Sequence, residues 1–223
     1  MNATPSRVSR FYVLMAGNSV PDFTWESHCW ADNYQFVAGV DEAGRGALAG
    51  PIIAAAVVFA HSSPMTADLA MIDDSKVLSR ARRTELAELI RTTALAWAIG
   101  SVEAIVIDEI GIARANRLAM EQAINGLHCQ SDFILLDALT CELGLPQSGL
   151  IDGDAISLSI AAASIIAKTE RDAIMYRAHE TDTRYGFDRH VGYGTRAHLQ
   201  ALREHGPLPI HRRTFRGVLG EKI

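Results

Sequence analysis

The sequence predicts an α/β fold with a mixed central sheet flanked by helices and a helical C-terminal part. Short apolar runs, each compact enough for a buried strand, recur along the first two thirds of the chain. Segments with apolar residues at helical spacing separate several of these runs. In the last third, the main apolar stretch opens a long segment of helical pattern, and a shorter helical segment follows it. These three observations favour a sheet wrapped by helices over an all-α or all-β fold.

The N-terminal half begins with a loose segment and then alternates strands and helices. Residues 1–20 are polar and aperiodic, which predicts a flexible extension, and a short helix is expected around Phe23–Trp30. Phe36–Val40 and Pro51–Phe59 are apolar runs joined by a glycine cluster, a pattern typical of strand, loop, strand. Ser79–Ala96 has helical spacing, with arginines on its polar face.

The second half continues the alternation and then becomes helical. Trp97–Ile105 is predicted as a strand and Gly111–Leu127 as a helix. Phe133–Leu136 is a four-residue apolar run closing on Asp137, which is typical of a buried strand that ends in an acid. A Gly/Pro-containing loop is predicted at Gly144–Gly149, and a long helix at Ser157–His179. A shorter helix follows at Thr195–His205, with Thr195 as its N-cap and Gly206 as its stop.

The composition is that of a globular protein with a substantial core. Of 223 residues, 48% are hydrophobic and 21% are charged. No apolar stretch reaches the ~20 residues needed to span a bilayer. Three scattered cysteines are too few for a disulfide framework or a thiolate zinc site, which favours reduced thiols and a cytoplasmic location. A monomer is the default expectation.

The charge is unevenly distributed along the chain. The formal net charge of −5 argues against a polyanionic partner when it is taken as a whole. Between Lys168 and Arg216, however, ten basic residues face six acidic ones, a net charge of +4, and the remainder carries −9. Histidines and aromatic residues interleave with these basic residues, a pattern that suits a nucleic-acid backbone. The plainer alternative is a solvated helix face with internal salt bridges.

Acidic residues follow the predicted buried strands. Asp41 and Glu42 follow one apolar run, Asp137 follows another, and Asp154 lies in a Gly-Asp-Ala turn before the long helix. Open sheets place their chemistry beyond strand ends, so these acids can converge there. With no nearby His/Cys ligand set, hard ions such as Mg²⁺ or Mn²⁺ are the natural partners. The alternative for each acid alone is helix capping or solvation.

Asp41 and Glu42 are adjacent, which imposes a geometric condition on a shared site. Neighbouring residues of a regular strand point to opposite faces. Both can serve one site only if the strand ends or bulges there, and Gly44 and Gly46 are close enough to permit this.

Several long motifs carry a family resemblance. The resemblance covers roughly residues 22 to 217, and its motifs stand in family order. The first four are VAGVDEAGRG from Val37, DSKVL from Asp74, LLDA from Leu135 and GDA from Gly153. The others are SIAAASIIAK from Ser159, Arg171-Asp172, the spaced residues from Tyr185 to His198, and His211-Arg with Phe215. Together they resemble the type 2 ribonucleases H, the ribonuclease HII family. The resemblance implies an RNase H-like fold over a single catalytic domain, residues 21–223, whose helical part from about residue 180 binds substrate.

The resemblance also implies an activity. It points to a metal-dependent endonuclease that cleaves the RNA strand of RNA–DNA hybrids and nicks 5′ of single ribonucleotides in duplex DNA, with Mg²⁺ or Mn²⁺ as cofactor. By motif match, the catalytic and metal-binding residues are Asp41, Glu42, Asp137 and Asp154. The expected substrate-binding residues are Gly44, Arg45, Gly46, Lys76, Ser164, Lys168 and Tyr193, with the Gly-Arg-Gly loop sensing the ribose 2′-hydroxyl and Tyr193 packing near the junction with the deoxyribonucleotide.

The sequence departs from the family pattern at some positions, and two other functions are alternatives to the one that the resemblance implies. Asp152 stands where the family often has Lys, two residues before a predicted ligand, and Ala47 stands where Pro is common. The extra charge at Asp152 is expected to slow turnover or raise the metal requirement. A related two-metal enzyme on another nucleic acid and a non-catalytic nucleic-acid-binding module of the same fold are the alternatives. Clustered acids facing phosphates argue against the module.

Overall fold

The computed structural model describes residues 20–63, 65–72, 78–138, 141 and 143–219. Nearly all of the predicted N-terminal extension lies outside these residues. So does Lys76, with most of the motif around it.

In the part of the chain that the structure describes, five strands form one mixed sheet in the order β3-β2-β1-β4-β5. The pairs β1–β2 and β2–β3 are antiparallel, whereas β1–β4 and β4–β5 are parallel. This confirms the predicted mixed sheet. The strands are β1 (Val37–Ala43), β2 (Ile52–Val58), β3 (Ala96–Val102), β4 (Phe133–Asp137) and β5 (Gln147–Leu150).

Among the described residues, seven α-helices flank the sheet and build the C-terminal part. Ser79, Ser157 and Thr195 cap helices through their side-chain oxygens, and Thr195 and Gly206 bound the last helix as predicted. None of the helices in the described ranges is both long and apolar enough to cross a membrane. They are α1 (Thr24–Ala31), α2 (Arg80–Thr93), α3 (Ala104–Ile110), α4 (Ile112–Asn125), α5 (Leu158–Thr181), α6 (Phe187–His190) and α7 (Arg196–His205).

Two predictions about elements were wrong. The predicted loop Gly144–Gly149 contains the start of β5, a short edge strand that pairs with β4 although its sequence lacks an apolar run. The predicted strand Trp97–Ile105 ends at Val102, because the chain turns into α3 at Ala104. The β-branched residues of α3 made the two elements look continuous.

The two faces of the sheet bury different helices. Ala38 and Val40 of β1 pack with α4, whereas Ala43 packs in a cluster formed with α2 and α5. Gly39 lets α5 approach β1 closely, since a Cβ there would lie 2.2 Å from the backbone carbon of Ser159. This contact fixes α5 over the face of β1 that carries Asp41.

The C-terminal helices form a small core of their own around the loop that follows β1. Leu48 and Ala49 of that loop pack with Tyr185, Phe187 and Leu202. The backbone of Leu48 donates to the Gly192 oxygen at 2.8 Å and accepts from Arg212 N at 2.9 Å. The helical C-terminal part is therefore bound directly to the Gly-Arg-Gly loop.

Candidate active site and metal centre

Strand register brings two of the predicted acids side by side. In the parallel pair β1–β4, Val40 lies opposite Leu136, so Asp41 and Asp137 occupy the next positions on neighbouring strands. The carboxyl ends of parallel strands meet at the same edge of a sheet. Both aspartates therefore lie at one edge, on the α5 side.

Asp154 reaches the same edge from the turn after β5. Asp137 is the last residue of β4 and pairs with Leu150 of β5. Its carboxylate accepts from Gly153 N at 2.9 Å, which ties the turn to the end of β4. Asp154 lies within this one-turn 3₁₀ helix, Gly153–Ala155, and is 3% exposed.

Asp41, Asp137 and Asp154 form a compact carboxylate cluster. One carboxylate oxygen from each lies within 4.8 Å of the others. Burial raises the pKa of Asp41 well above its usual range, and the charges of Glu42 and Asp137 raise it further. Burial also raises the pKa of Glu42. Such a concentration of buried acid is costly unless a cation or retained protons offset it.

The donor set fits a hard divalent cation. All three side chains offer carboxylate oxygens, the ligands that Mg²⁺ and Mn²⁺ prefer in proteins. The Glu42 N–H donates to one Asp41 oxygen at 2.7 Å, and the Ser164 hydroxyl lowers the pKa of Asp41 through a hydrogen bond. These contacts orient the carboxylate at the edge of the sheet.

Glu42 lies outside the three-aspartate cluster. The strand neither ends nor bulges at this point, since β1 stays paired with β2 through Glu42–Ala54 and Ala43–Ile53. The Glu42 side chain is therefore on the α4 face, opposite Asp41. Its carboxylate lies 3.9 Å from the Arg45 guanidinium, and the charge of Asp137 raises its pKa in addition to burial. Glu42 is thus near the cluster but not within it.

The Gly-Arg-Gly loop follows β1 directly and is open on one side. Gly44 has a left-handed φ of +92°, and a Cβ there would lie 1.9 Å from Nε of Arg171. A Cβ at Gly46 would meet no atom within 4 Å. Arg45 lies between them with a side chain that is 55% exposed. One glycine is therefore enclosed by the protein, whereas the other faces open space.

Two buried arginines bind the backbone of this loop and of the residues next to it. Arg171 donates to the backbone oxygens of Pro51, Val191 and Ala49 at 3.2, 2.9 and 3.0 Å. Arg212 donates to those of Gly50 and Arg45 at 3.0 and 3.1 Å. Both side chains are fully buried, and burial lowers the pKa of Arg212 to about 10.

Tyr193 lies next to one of these two arginines. The Arg171 guanidinium lies 5.3 Å from the centre of the Tyr193 ring. The neighbouring Gly192 oxygen accepts from the backbone N–H groups of Leu48 and Ala49. The predicted ribose-sensing loop and the predicted junction tyrosine are therefore brought together.

Comparison with known proteins identifies the family. The family model described as Ribonuclease HII matches residues 38–218. The chain is 50% identical over 188 residues to the ribonuclease HII of Shouchella clausii, a match covering 84% of this chain and 71% of that one. It is 45% identical over 207 residues to that of Pelodictyon phaeoclathratiforme, covering 91% and 99%. The chain belongs to the ribonuclease HII family.

A solved structure confirms the fold of this ribonuclease HII. The ribonuclease H2 from Pyrococcus horikoshii superposes with a TM-score of 0.71 at 24% sequence identity, covering 82% of this chain and 95% of that one. As a member of the family, the chain is a ribonuclease H, a metal-dependent endoribonuclease.

Two other predicted substrate residues, Ser164 and Lys168, have different partners. Ser164 contacts it through Asp41. Lys168 is bonded to Asp172 at 2.5 Å, one turn further along α5, and Asp172 also pairs with Arg83 at 3.2 Å. Lys168 therefore belongs to an ion-pair group between α2 and α5.

The basic segment of this ribonuclease HII divides into a buried and an exposed part. Tyr185, Phe187, His198 and His211 are buried, so these rings form the local core rather than a surface platform. Seven of the ten basic side chains in the segment are exposed: Arg177, Arg184, Arg189, Arg196, Arg203, Arg213 and Arg216.

Sequence reasoning assigned no role to Arg212 or Asn116, which are both buried next to residues of the candidate site. Arg212 stands in one of the resemblance motifs and in the basic segment, but its charge alone does not distinguish it from the exposed Arg213 beside it. Asn116 carried a signal, because it is a polar residue at a position of α4 where its neighbours Ala115 and Ala119 are apolar and buried.

Proposed function

We propose that this ribonuclease HII hydrolyses the RNA strand of RNA–DNA hybrids and nicks 5′ of single ribonucleotides in duplex DNA, at the edge formed by β1, β4 and β5. The observation that carries the proposal is the group of three aspartate oxygens within 4.8 Å in a chain of this family. Asp41, Asp137 and Asp154 hold Mg²⁺ or Mn²⁺ there, and Glu42 is the fourth acid, next to the cluster.

The acids supply the chemistry without a covalent nucleophile. Divalent cations held by these acids would supply the activation of a water molecule and the stabilisation of the leaving oxygen in an in-line phosphodiester displacement. Hydrogen bonds from Ser164 and from the Glu42 N–H orient the Asp41 carboxylate. A hydrogen bond from the Gly153 N–H orients the Asp137 carboxylate. The expected products are a 3′-hydroxyl and a 5′-phosphate end.

The loop of Gly44, Arg45 and Gly46 provides selectivity for the ribonucleotide. Recognition of RNA requires a contact with the 2′-hydroxyl, which both donates and accepts hydrogen bonds. The open space beside Gly46 lets a sugar approach the backbone, and the buried Arg171 and Arg212 keep that backbone fixed. Tyr193 lies against this loop and packs on the nucleotide at the junction.

The exposed arginines of the C-terminal part bind the duplex backbone. Arg189, Arg196 and Arg203 are exposed on or beside α6 and α7, within the segment of net charge +4. Phosphate contacts of this kind make binding salt-dependent. We further propose that the enzyme acts as a cytoplasmic monomer, in which the three cysteines remain reduced thiols.

Cleavage of a defined duplex tests the proposal. The substrate is a DNA duplex with one ribonucleotide, incubated with Mg²⁺, with Mn²⁺ or with EDTA, beside an all-DNA control. We expect a metal-dependent nick 5′ of the ribonucleotide and none in the control. Asp41→Asn is expected to lower cleavage by ~10²-fold or more while duplex binding persists. Absence of nicking with both metals would leave only the binding module.

A further inference from the structure

Asn116 is a buried amide in the apolar face of α4. It is 1% exposed, and its buried neighbours on the helix are Ala115, Ala119, Met120 and Ala123. Neither Nδ2 nor Oδ1 has a hydrogen-bond partner among the residues that the structure describes. Buried polar groups are nearly always paired, because an unpaired one loses its water without compensation. Packing alone therefore does not account for an amide at this position.

The group that faces this amide is the carboxylate of Glu42. Glu42 lies on the α4 face of β1, and the nearby Asn116 amide lowers the pKa of its carboxyl against the larger effect of burial. No hydrogen bond of acceptable distance and angle joins the two side chains. Hydrogen bonds of active sites are often long or poorly aligned before their ligands bind and tighten afterwards.

We propose that Asn116 is a positioning residue for Glu42, whose carboxylate it orients toward a second divalent cation beside the three-aspartate cluster. The inference rests on the proposed function. The side-chain Nδ2–H of Asn116 donates to one Glu42 oxygen, and the other Glu42 oxygen is then directed at the ion. An amide suits this task because it stays neutral and keeps its donor at every pH.

A purely structural amide and a positioning amide predict different results for Asn116→Ala. If the amide only supports the fold, its loss lowers stability and leaves cation binding unchanged. If it positions Glu42, its loss removes an unpaired polar group, so the cation-free protein is as stable as wild type or more stable. Cation binding then weakens, by ~10- to 100-fold for a ligand that loses its supporting hydrogen bond.

The experiment measures Mn²⁺ binding to the full chain by isothermal titration calorimetry, without nucleic acid, and thermal unfolding in EDTA. The variants are Asn116→Ala and Asn116→Ser, the latter keeping a short donor. Ser131→Ala is the matched control. Ser131 is 4% exposed, its hydroxyl has no partner among the described residues, and it lies before β4, at the opposite end of that strand from Asp137.

We expect Asn116→Ala to bind the weaker of two Mn²⁺ ions less tightly, Asn116→Ser to recover part of the loss, and Ser131→Ala to bind as wild type does. Wild-type affinity in Asn116→Ala would overturn the inference and leave the proposed function intact. Lower stability in EDTA with unchanged affinity would overturn it in favour of a structural role. If the wild-type protein bound no Mn²⁺ at all, the proposed metal centre itself would fail.

Discussion

The guanidinium of Arg212 donates a hydrogen bond to the backbone oxygen of Arg45 at 3.1 Å. The two residues are far apart in the chain, and the contact joins the last segment of the enzyme to the loop that follows β1. A second donor of the same side chain reaches the Gly50 oxygen at 3.0 Å. One buried guanidinium therefore contacts both ends of the loop, and the position of this proposed substrate loop depends on the C-terminal part.

Arg212→Lys is expected to weaken both stability and catalysis. Lysine keeps the charge but lacks the planar fork that reaches two carbonyls at once, so at least one carbonyl loses its donor. We expect a loss of about 2 kcal/mol in the free energy of unfolding and a higher KM for the ribonucleotide-containing duplex. Denaturant unfolding and steady-state kinetics measure these effects. Arg213→Lys is the control, because its side chain is exposed. Equal unfolding midpoints for the two variants would contradict the prediction.

Asp41→Asn is expected to stabilise the cation-free enzyme. Burial and two neighbouring acids raise the pKa of Asp41, so the ionised form at neutral pH costs folding free energy. The stability associated with the protonated form is fully present below the usual pKa of aspartate and is lost as pH rises through the raised pKa. The advantage of the variant should therefore be largest at pH 8 in EDTA and should vanish near pH 4.

Binding of Mg²⁺ should make the wild-type enzyme more stable than Asp41→Asn, the reverse of their order in EDTA. A cation that binds only the folded wild type stabilises it by mass action, and the variant loses a ligand. Unfolding curves with and without Mg²⁺ at pH 8 check both statements. A variant less stable than wild type in EDTA would show that Asp41 is not electrostatically strained.

The buried histidines predict a loss of stability in mild acid. Leu208 N–H donates to Nδ1 of His211, which assigns the proton to its Nε2, and this group donates to Nε2 of His198 at 3.1 Å. Burial lowers the pKa of His198 and of His211 to about 4. Both rings are neutral in the folded protein, and their stability contribution is complete above about pH 6.5.

That contribution is lost as pH falls from about 6.5 toward 4, because the unfolded chain takes up protons that the folded one does not. Each such proton changes the slope of unfolding free energy by about 1.4 kcal/mol per pH unit. His211→Gln should flatten the profile in this window, whereas His128→Gln, at a residue with no part in the cluster, should not. Parallel profiles for wild type and His211→Gln would refute the assignment.

Much of the site was predictable because its acids follow local rules. Asp137 directly ends an apolar run, and that run is β4, so the position of its carboxylate at a strand end could be read from the sequence. The opposite faces of Asp41 and Glu42 could be stated only as a condition. Whether β1 bulges depends on its pairing with β2, a long-range contact that no local pattern reveals.

The parts that sequence reasoning missed depend on tertiary contacts. β5 contains Ser148 and Gly149 and is a strand because β4 offers it an unpaired edge, not because of its own propensity. The burial of Arg212 is likewise set by the carbonyls of a distant loop. Charge counts treat a guanidinium that binds backbone oxygens in the core and one that faces phosphates as the same.

Asp152 is expected to raise the Mg²⁺ concentration that cleavage requires. It is exposed, has a left-handed φ of 53°, and lies two residues before Asp154. Its negative charge adds to the repulsion of substrate phosphate near the cluster. Asp152→Asn removes the charge and retains a residue that tolerates this conformation, while Asp152→Lys reverses the charge. We expect faster cleavage at low Mg²⁺ in both, more so in the lysine variant. Superimposable metal titrations of all three proteins would remove any role for Asp152.

The two glycines of the loop are expected to separate folding from substrate recognition. Gly44→Ala places a Cβ 1.9 Å from Nε of the buried Arg171, in a backbone conformation with φ of +92° that side chains rarely adopt. The arginine cannot move without losing its three carbonyl partners, so this variant should be destabilised by ~2 kcal/mol or more.

Gly46→Ala should leave the fold unchanged, because its Cβ meets no protein atom within 4 Å and its φ is not left-handed. If the open space beside Gly46 is where the ribose sits, the added methyl lowers cleavage without lowering the unfolding midpoint. Since the methyl obstructs the sugar rather than the carboxylates, the Mn²⁺ affinity of the free enzyme should equal that of wild type. Full cleavage activity in a stably folded Gly46→Ala variant would place the sugar elsewhere, even if Gly44→Ala behaved as expected.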